Sequence, residues 1–261
     1  MQVIIVDDYD AMSDKAAQMV TERLQEKPDM VLGLATGGTP EGLYARLVEA
    51  HRQEGLDFSR AGSFNLDEYV GLEPEHPQSY HHYMNQLLFD QVNIEPGNTH
   101  LPDGLAEDLA AECAQYEQDI ARAGCIDLQV LGIGGDGHIG FNEPGTSLAS
   151  RTHVAILTEQ TIKDNARYFD RPEDVPRYAL TMGVGTILEA ASCLLMISGG
   201  HKAGVARDAI EGPVTAMVPA SALQLHPDSV CILDEAAAGE LAQGDFYRWQ
   251  QAQREELAER L

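Results

Sequence analysis

The stretch from Leu131 to Gly145, "LGIGGDGHIGFNEPG", decides how the rest of the chain is read. The apolar run "IDLQV" (Ile126–Val130) feeds straight into it, so a strand leaves through six glycines that carry Asp136, His138 and Glu143 within eight residues. A plain turn needs one or two glycines and has no use for such a cluster. Glycine lets backbone approach a ligand closely, and Asp136 and His138, two apart, reach one pocket from a loop. A histidine paired with a carboxylate is held in one tautomer and stays basic, as general acid–base catalysis requires. The same residue types also bind metals, but one histidine with scattered carboxylates and no HxH or HxxxH spacing makes a weak metal site. The bland alternative is a glycine-rich turn with incidental charges. We read the cluster as catalytic, with no metal and no cofactor.

Outward from this loop, short apolar runs alternate with helical stretches. The runs are Val3–Val6, Met30–Ala35, Gly62–Leu66, Asp127–Ile133, Ala191–Ser198 and Ser229–Asp234. Near-continuous apolar strands imply a sheet covered on both faces, as parallel strands are. Helix candidates lie between them: Ser13–Glu26, with Ser13 as N-cap, and Ala106–Gly124, with Leu109, Cys113, Tyr116 and Ile120 on one stripe and Gly124 ending it. No linker, repeat or change of composition divides the chain. The expected fold is therefore α/β: one doubly wound, mostly parallel, Rossmann-like domain over residues 1–261. Ligands of such sheets bind beyond the carboxyl ends of the strands.

Three further strand ends carry polar groups. In "LATGGTPEGLY" (Leu34–Tyr44), Thr36, Gly37, Gly38 and Thr39 make a tight loop and Pro40 suits a helix start running to about Ala50. Free backbone amides, two hydroxyls and a helix N-terminus form an anion cradle, although the motif is neither Walker A nor GxGxxG. In "FNLDEYVGL" (Phe64–Leu72), Asp67 and Glu68 follow an apolar strand, so one of them can face the cleft; a solvated turn is the plainer reading. In "LLMISGGHKAGV" (Leu194–Val205), Lys202 opens a helix just past a strand, either as a phosphate counter-charge or as a helix-start lysine with no role. His201 beside it reads as exposed or capping. Together the four loops describe a phosphorylated small molecule undergoing proton transfer.

Composition narrows the class of partner. Forty-two acidic against 17 basic residues give a formal charge of −25, and the lysines are only Lys15, Lys27, Lys163 and Lys202. Such a surface repels nucleic acid and anionic membrane. No run approaches the ~20 apolar residues of a membrane span, the stretch "MQVIIVDDYDAM" (Met1–Met12) turns acidic after six residues with no basic n-region to suggest a signal peptide, and the four cysteines are scattered, so a cytoplasmic location is expected. The acidity reads as a solvated surface that keeps the protein soluble or, more sharply, as adaptation to a salt-rich cytoplasm, where screening relieves self-repulsion.

The motifs "LATGGTPEGLY", "FNLDEYVGL" with "HPQSYHHYM", "GIGGDGHIGFNEPGTSLASRTH", "YALTMGVGTILEA" and "LQLHPD", in this order, resemble the glucosamine-6-phosphate deaminase family over nearly the whole chain. The resemblance implies conversion of glucosamine 6-phosphate and water to fructose 6-phosphate and ammonia. It implies Asp67 as the base that moves a proton between C2 and C1. His138 would open the pyranose at its ring oxygen, oriented by Asp136 and Glu143. Gly37, Gly38 and Thr39, with Arg167 and Lys202, would hold the phosphate. The residues alone would place Arg167 on an exposed helix. Family members range from monomers to hexamers, so a homo-oligomer is within expectation. Some are activated by N-acetylglucosamine 6-phosphate through basic residues where this chain has His153 and Ala155, so little activation is expected even though Arg151 remains. The related 6-phosphogluconolactonases share a GDGH-type loop, but the continuation "IGFNEPG" and the stretch "FNLDEYVGL" match the deaminases. A non-catalytic sugar-phosphate sensor would need a DNA-binding module for which the chain has neither length nor basic charge.

Overall fold

The computed structural model describes residues 1–258 and Arg260. Its strands are β1 (Gln2–Val6), β2 (Val31–Leu34), β3 (Gly62–Asn65), β4 (Asp67–Tyr69), β5 (Thr99–His100), β6 (Leu128–Leu131), β7 (His153–Ile156), β8 (Tyr178–Thr181), β9 (Cys193–Ile197) and β10 (Ser229–Asp234). The helices are α1 (Tyr9–Glu26), α2 (Glu41–Glu49), α3 (Tyr80–Leu87), α4 (Leu109–Arg122), α5 (Glu159–Asn165), α6 (Val184–Leu188), α7 (Ala203–Ile210) and α8 (Gly244–Ala258). Seven strands form one sheet in the order β1-β10-β9-β6-β2-β3-β5, every neighbouring pair parallel. All six apolar runs lie in it. The edge strand β5 has two residues and no apolar run to announce it.

The strands are apolar throughout because their alternating side chains feed two cores. Val3, Ile5, Leu131, Leu195 and Leu233 pack with Tyr116 and Ile120 of α4 and Ala206 of α7. Ile4, Leu32, Val130, Met196 and Ile232 pack on the other face with Met12 and Val20 of α1 and Leu43 of α2. Truncating one such residue, Leu195→Ala for example, costs about 2–5 kcal/mol through lost burial and the cavity left behind.

Two helix starts differ from expectation. Helix α1 begins at Tyr9, not Ser13, because the Asp8 carboxylate already accepts the Ala11 amide at 2.9 Å. Ser13 is instead a contact between helices: fully buried, it donates to Tyr9 O at 2.8 Å and sits where any side chain on Gly42 of α2 would fall. Helix α4 starts at Leu109 rather than Ala106, capped by Asp108 through the Ala110 and Ala111 amides. Gly124 follows its end at φ +91°, as the C-terminal pattern implies.

A second sheet was not foreseen. Strands β4, β8 and β7 form an antiparallel three-stranded sheet, with Asp67 opposite Thr181. Only Leu66 separates β3 from β4, and its carbonyl accepts the Met182 amide at 2.7 Å. The small sheet is thereby fastened to the carboxyl edge of the large one. Among the described residues, no helix is long and apolar enough to cross a membrane.

Candidate active site

The carboxyl edge of the parallel sheet opens into a cleft of about 980 Å³. Its walls include Gly37, Gly38, Thr39, Asp67, His138, Arg167 and Lys202. The structure therefore brings together seven of the nine residues singled out from sequence. The other two, Asp136 and Glu143, stand directly behind His138.

The loop from Thr36 to Thr39 is held by its carbonyls. Tyr44 donates its hydroxyl to Ala35 O at 2.5 Å, Tyr83 to Gly37 O at 2.7 Å and Tyr9 to Gly38 O at 3.0 Å. With the carbonyls drawn back, the amides of Gly37, Gly38 and Thr39 find no acceptor among the described residues. Unpaired amides ahead of α2, at a helix N-terminus, are what an anion requires. These tyrosines escaped the sequence reading because their partners lie 9, 46 and 29 residues away.

Asp67 starts β4 and is buried at 5% exposure. Its carboxylate accepts no hydrogen bond from the protein among the described residues. Burial, reinforced by the charge of Glu68, pushes its pKa up to about 8 against a smaller opposing pull from His138. Of the acidic pair, Asp67 faces the cleft and Glu68 does not. The Glu68 carboxylate accepts the Tyr80 and His81 amides at 3.0 Å each and contacts His81 Nδ1 at 2.9 Å, which anchors the start of α3. Around Asp67 the chain forms an antiparallel strand rather than a solvated turn, and the acid is buried there.

His138 is set in the opposite way. Its Nδ1 lies 2.7 Å from Asp136 Oδ1 and 3.5 Å from Glu143 Oε2. The ring nitrogen points squarely at neither oxygen, so it sits between two carboxylates rather than in one well-formed hydrogen bond. Burial would lower its pKa, but Asp136 and Glu143 together overcome that and raise it to about 9. Asp136 is held below the usual carboxylate range; burial alone would raise it, and contact with His138 prevails. The other Glu143 oxygen accepts Thr161 Oγ1 at 2.6 Å and the Thr158 amide at 3.2 Å, tying the catalytic loop to the start of α5.

The glycines of the loop now have reasons. A side chain on Gly134 would place its Cβ 2.2 Å from His138 Nε2, inside the imidazole's own space. Gly137 turns the chain between Asp136 and His138 at φ +92°, a conformation that excludes most other residues.

Lys202 projects from the 3₁₀ turn Gly200–Lys202 just before α7, and its Nζ donates to Ile133 O at 2.9 Å. Its turn is fixed by Asp234 at the end of β10, which accepts Ser198 Oγ at 2.5 Å and the Gly199 amide at 2.9 Å. Asp234 was not foreseen. Burial lowers the Lys202 pKa from its ordinary value, and Arg167 adds to that while Asp164 and Asp136 oppose it. Arg167 is exposed on the 3₁₀ turn that continues α5, as the sequence suggested, yet it lines the cleft. His201 is exposed, as expected, and also lines it.

Ligand atoms of Asp136, His138 and Glu143 fall within 4.8 Å of one another, close enough for a cation. Asp136 and Glu143 also raise the His138 pKa to about 9, so a cation bound there would have to displace the imidazole proton.

The α/β architecture thus gathers an amide-lined loop, a buried acid and a histidine flanked by two carboxylates at its carboxyl edge. Residues 7–232 match the family of glucosamine-6-phosphate isomerases and 6-phosphogluconolactonases, and the chain belongs to it. Within that family it is 51% identical to the glucosamine-6-phosphate deaminase of Shewanella loihica over 261 residues, covering 100% of this chain and 97% of the relative. It is equally 51% identical to that of Thermoanaerobacter pseudethanolicus over 246 residues, 94% of this chain and 97% of the relative. A solved structure of a monomeric glucosamine-6-phosphate deaminase superposes with a TM-score of 0.90 at 49% identity, covering 92% of this chain and 100% of that one. The 6-phosphogluconolactonase of Thermotoga maritima, at TM-score 0.70 and 20% identity over 90% of this chain and 99% of its own, shares the fold alone.

Proposed function

We propose that the chain converts glucosamine 6-phosphate and water to fructose 6-phosphate and ammonia. The observation that carries this reading is the buried, unpartnered Asp67 sharing one cleft with a doubly paired His138 and an amide cradle. Ester hydrolysis, the lactonase chemistry, carries no proton between carbons and so does not call for an acid placed to do that.

The phosphate rests on the amides of Gly37, Gly38 and Thr39, with Arg167 and Lys202 as counter-charges. It does not react; its binding orients C1 and C2 against Asp67. His138 gives its proton to the ring oxygen as the C1 hydroxyl loses one, which breaks the C1–O5 bond and leaves an open-chain aldehyde. Asp136 and Glu143 keep the imidazolium charged and aimed for this step. Asp67, once ionised, takes the C2 proton as the aldehyde oxygen gains one, giving an enolamine, and returns it to C1 as the amino nitrogen gives one up, leaving a C1 hydroxyl and an imine at C2. Water adds there, and the C–N bond breaks to release ammonia and the C2 ketone. Only protons and water move, so neither metal nor cofactor has a part, and treatment with a chelator should leave the rate unchanged.

Every group in this scheme comes from one chain, so a homo-oligomer is not required for the chemistry. A cytoplasmic location agrees with the substrate, a phosphorylated metabolite. Activation by N-acetylglucosamine 6-phosphate should be weak or absent. His153 and Ala155 lie on β7, and Arg151 is already neutralised by Glu117 at 2.5 Å and Glu189 at 2.6 Å. Sigmoidal kinetics relieved by that compound would overturn this part. The reaction itself is tested by measuring ammonia and fructose 6-phosphate in parallel. Equal amounts support it, and absence of ammonia with lactone hydrolysis refutes it.

A further inference from the structure

Most bases of this acidic chain are spent on neighbouring carboxylates. Arg46 pairs with Asp10 and Asp14, Arg207 with Asp208 and Glu240, Arg248 with Glu235 and Lys27 with Asp127. Among the described residues, the bases with no carboxylate in ion-pairing reach are Lys15, Arg52, Lys163, Arg167, Arg177, Lys202 and Arg254. Lys15, Arg52, Arg177 and Arg254 are scattered over α1, the turn after α2, the approach to β8 and α8. The other three, Lys163, Arg167 and Lys202, line one cleft. Neither the motifs nor the proposed mechanism gives Lys163 a role.

Lys163 stands in the last turn of α5, four residues before Arg167, so the two project from neighbouring turns toward the same side. The helix is not free to drift, because Glu143 holds the Thr158 amide and the Thr161 hydroxyl at its start. The acidic residues that line the cleft are Asp67, whose burial favours its neutral form, Glu41 and Asp164. The Asp164 carboxylate is engaged by Gln160 Nε2 at 2.8 Å. A chain with a net charge of −25 repels a phosphate dianion over most of its surface. A cluster of unpaired cations at one cleft reverses that locally.

We propose that Lys163 is a third cation for the substrate's phosphate, acting with Arg167 and Lys202 to draw the sugar phosphate into the cleft and hold it. This rests on the deaminase reading for the identity of the substrate, but only on its phosphate for the contact. Lys163 therefore sets KM and leaves the chemical step alone.

The test compares Lys163→Gln, Lys163→Arg and the remote control Lys15→Gln, using KM for glucosamine 6-phosphate and the calorimetric Kd for fructose 6-phosphate. At low ionic strength Lys163→Gln should raise both about two- to fivefold, the range for an exposed charge pair, with kcat unchanged. Lys163→Arg should restore both, and Lys15→Gln, the same change in net charge, should alter neither. In molar salt, where the Debye length is about 3 Å, the difference should vanish. An unchanged Kd in Lys163→Gln, an equal change in Lys15→Gln, or a difference that persists in molar salt would overturn the proposal. Binding without turnover by the unaltered protein would sink the deaminase reading instead, and the Kd comparison would still judge Lys163.

Discussion

Asp67 and Asp136 are the same side chain in one site, yet their surroundings send them in opposite directions. Asp67 lies on β4 next to Glu68 and is buried at 5% exposure. Among the described residues no donor stabilises its ionised form, and its pKa climbs to about 8. Asp136, on the glycine loop, touches a histidine that its own charge keeps protonated, and it stays ionised. The dry acid can take and return a proton at carbon; the paired acid can only hold another group in place. Environment rather than residue type assigns the roles.

If that contrast is right, replacing the two acids should fail in different ways. Asp67→Asn keeps the shape and removes the base, so kcat should fall about 10³-fold while the Kd for fructose 6-phosphate changes little. His138→Gln should lower kcat by about 10²-fold or more through slower ring opening. Asp136→Asn should cost less, about tenfold to 10²-fold, and should move the alkaline limb of the pH profile to lower pH as the imidazolium loses a partner. For the unaltered enzyme, kcat/KM should rise with pH as Asp67 ionises near 8 and fall as His138 deprotonates near 9. A profile flat between pH 7 and 10 would remove both assignments.

Stability should show the same opposition. Asp67 binds its proton more tightly folded than unfolded, so wild-type stability falls as pH rises from about 4 to about 8. Asp67→Asn escapes this and should be more stable than wild type at pH 9 by about 2–5 kcal/mol, read from urea unfolding. His138 acts in the other sense. Its contribution is fully present below about 6.5 and is lost as pH rises through about 9, so His138→Gln should be less stable at pH 6 and converge with wild type above that range. The smallest effect expected is that of salt on the acidic surface: the melting temperature should rise from low to molar salt, and equal values would dismiss a high-salt adaptation.

The large sheet was legible because each strand must satisfy two cores and so is apolar along its length. The glycine loop was legible because it combines conformational freedom with a chemical cluster, and the structure reassembles that cluster around His138. The small antiparallel sheet was not. Strands β7 and β8 have four residues each, with no long alternation to mark them, and so the dryness of Asp67, which depends on that sheet, was hidden too. Hydroxyls from distant tyrosines that turn the Thr36–Thr39 amides outward leave no local pattern at all. Arg167 reads as a surface residue because its exposure is real, as is that of Lys163; what matters is which cleft they border.

Turnover of glucosamine 6-phosphate by the unaltered protein and by Asp67→Asn, with the Kd for fructose 6-phosphate measured on both, bears hardest on these assignments. The expected result is equimolar ammonia and fructose 6-phosphate from the unaltered protein, about 10³-fold slower release from Asp67→Asn, and Kd values within about threefold of each other. Ammonia release by Asp67→Asn within tenfold of the unaltered rate would contradict the role given to this acid.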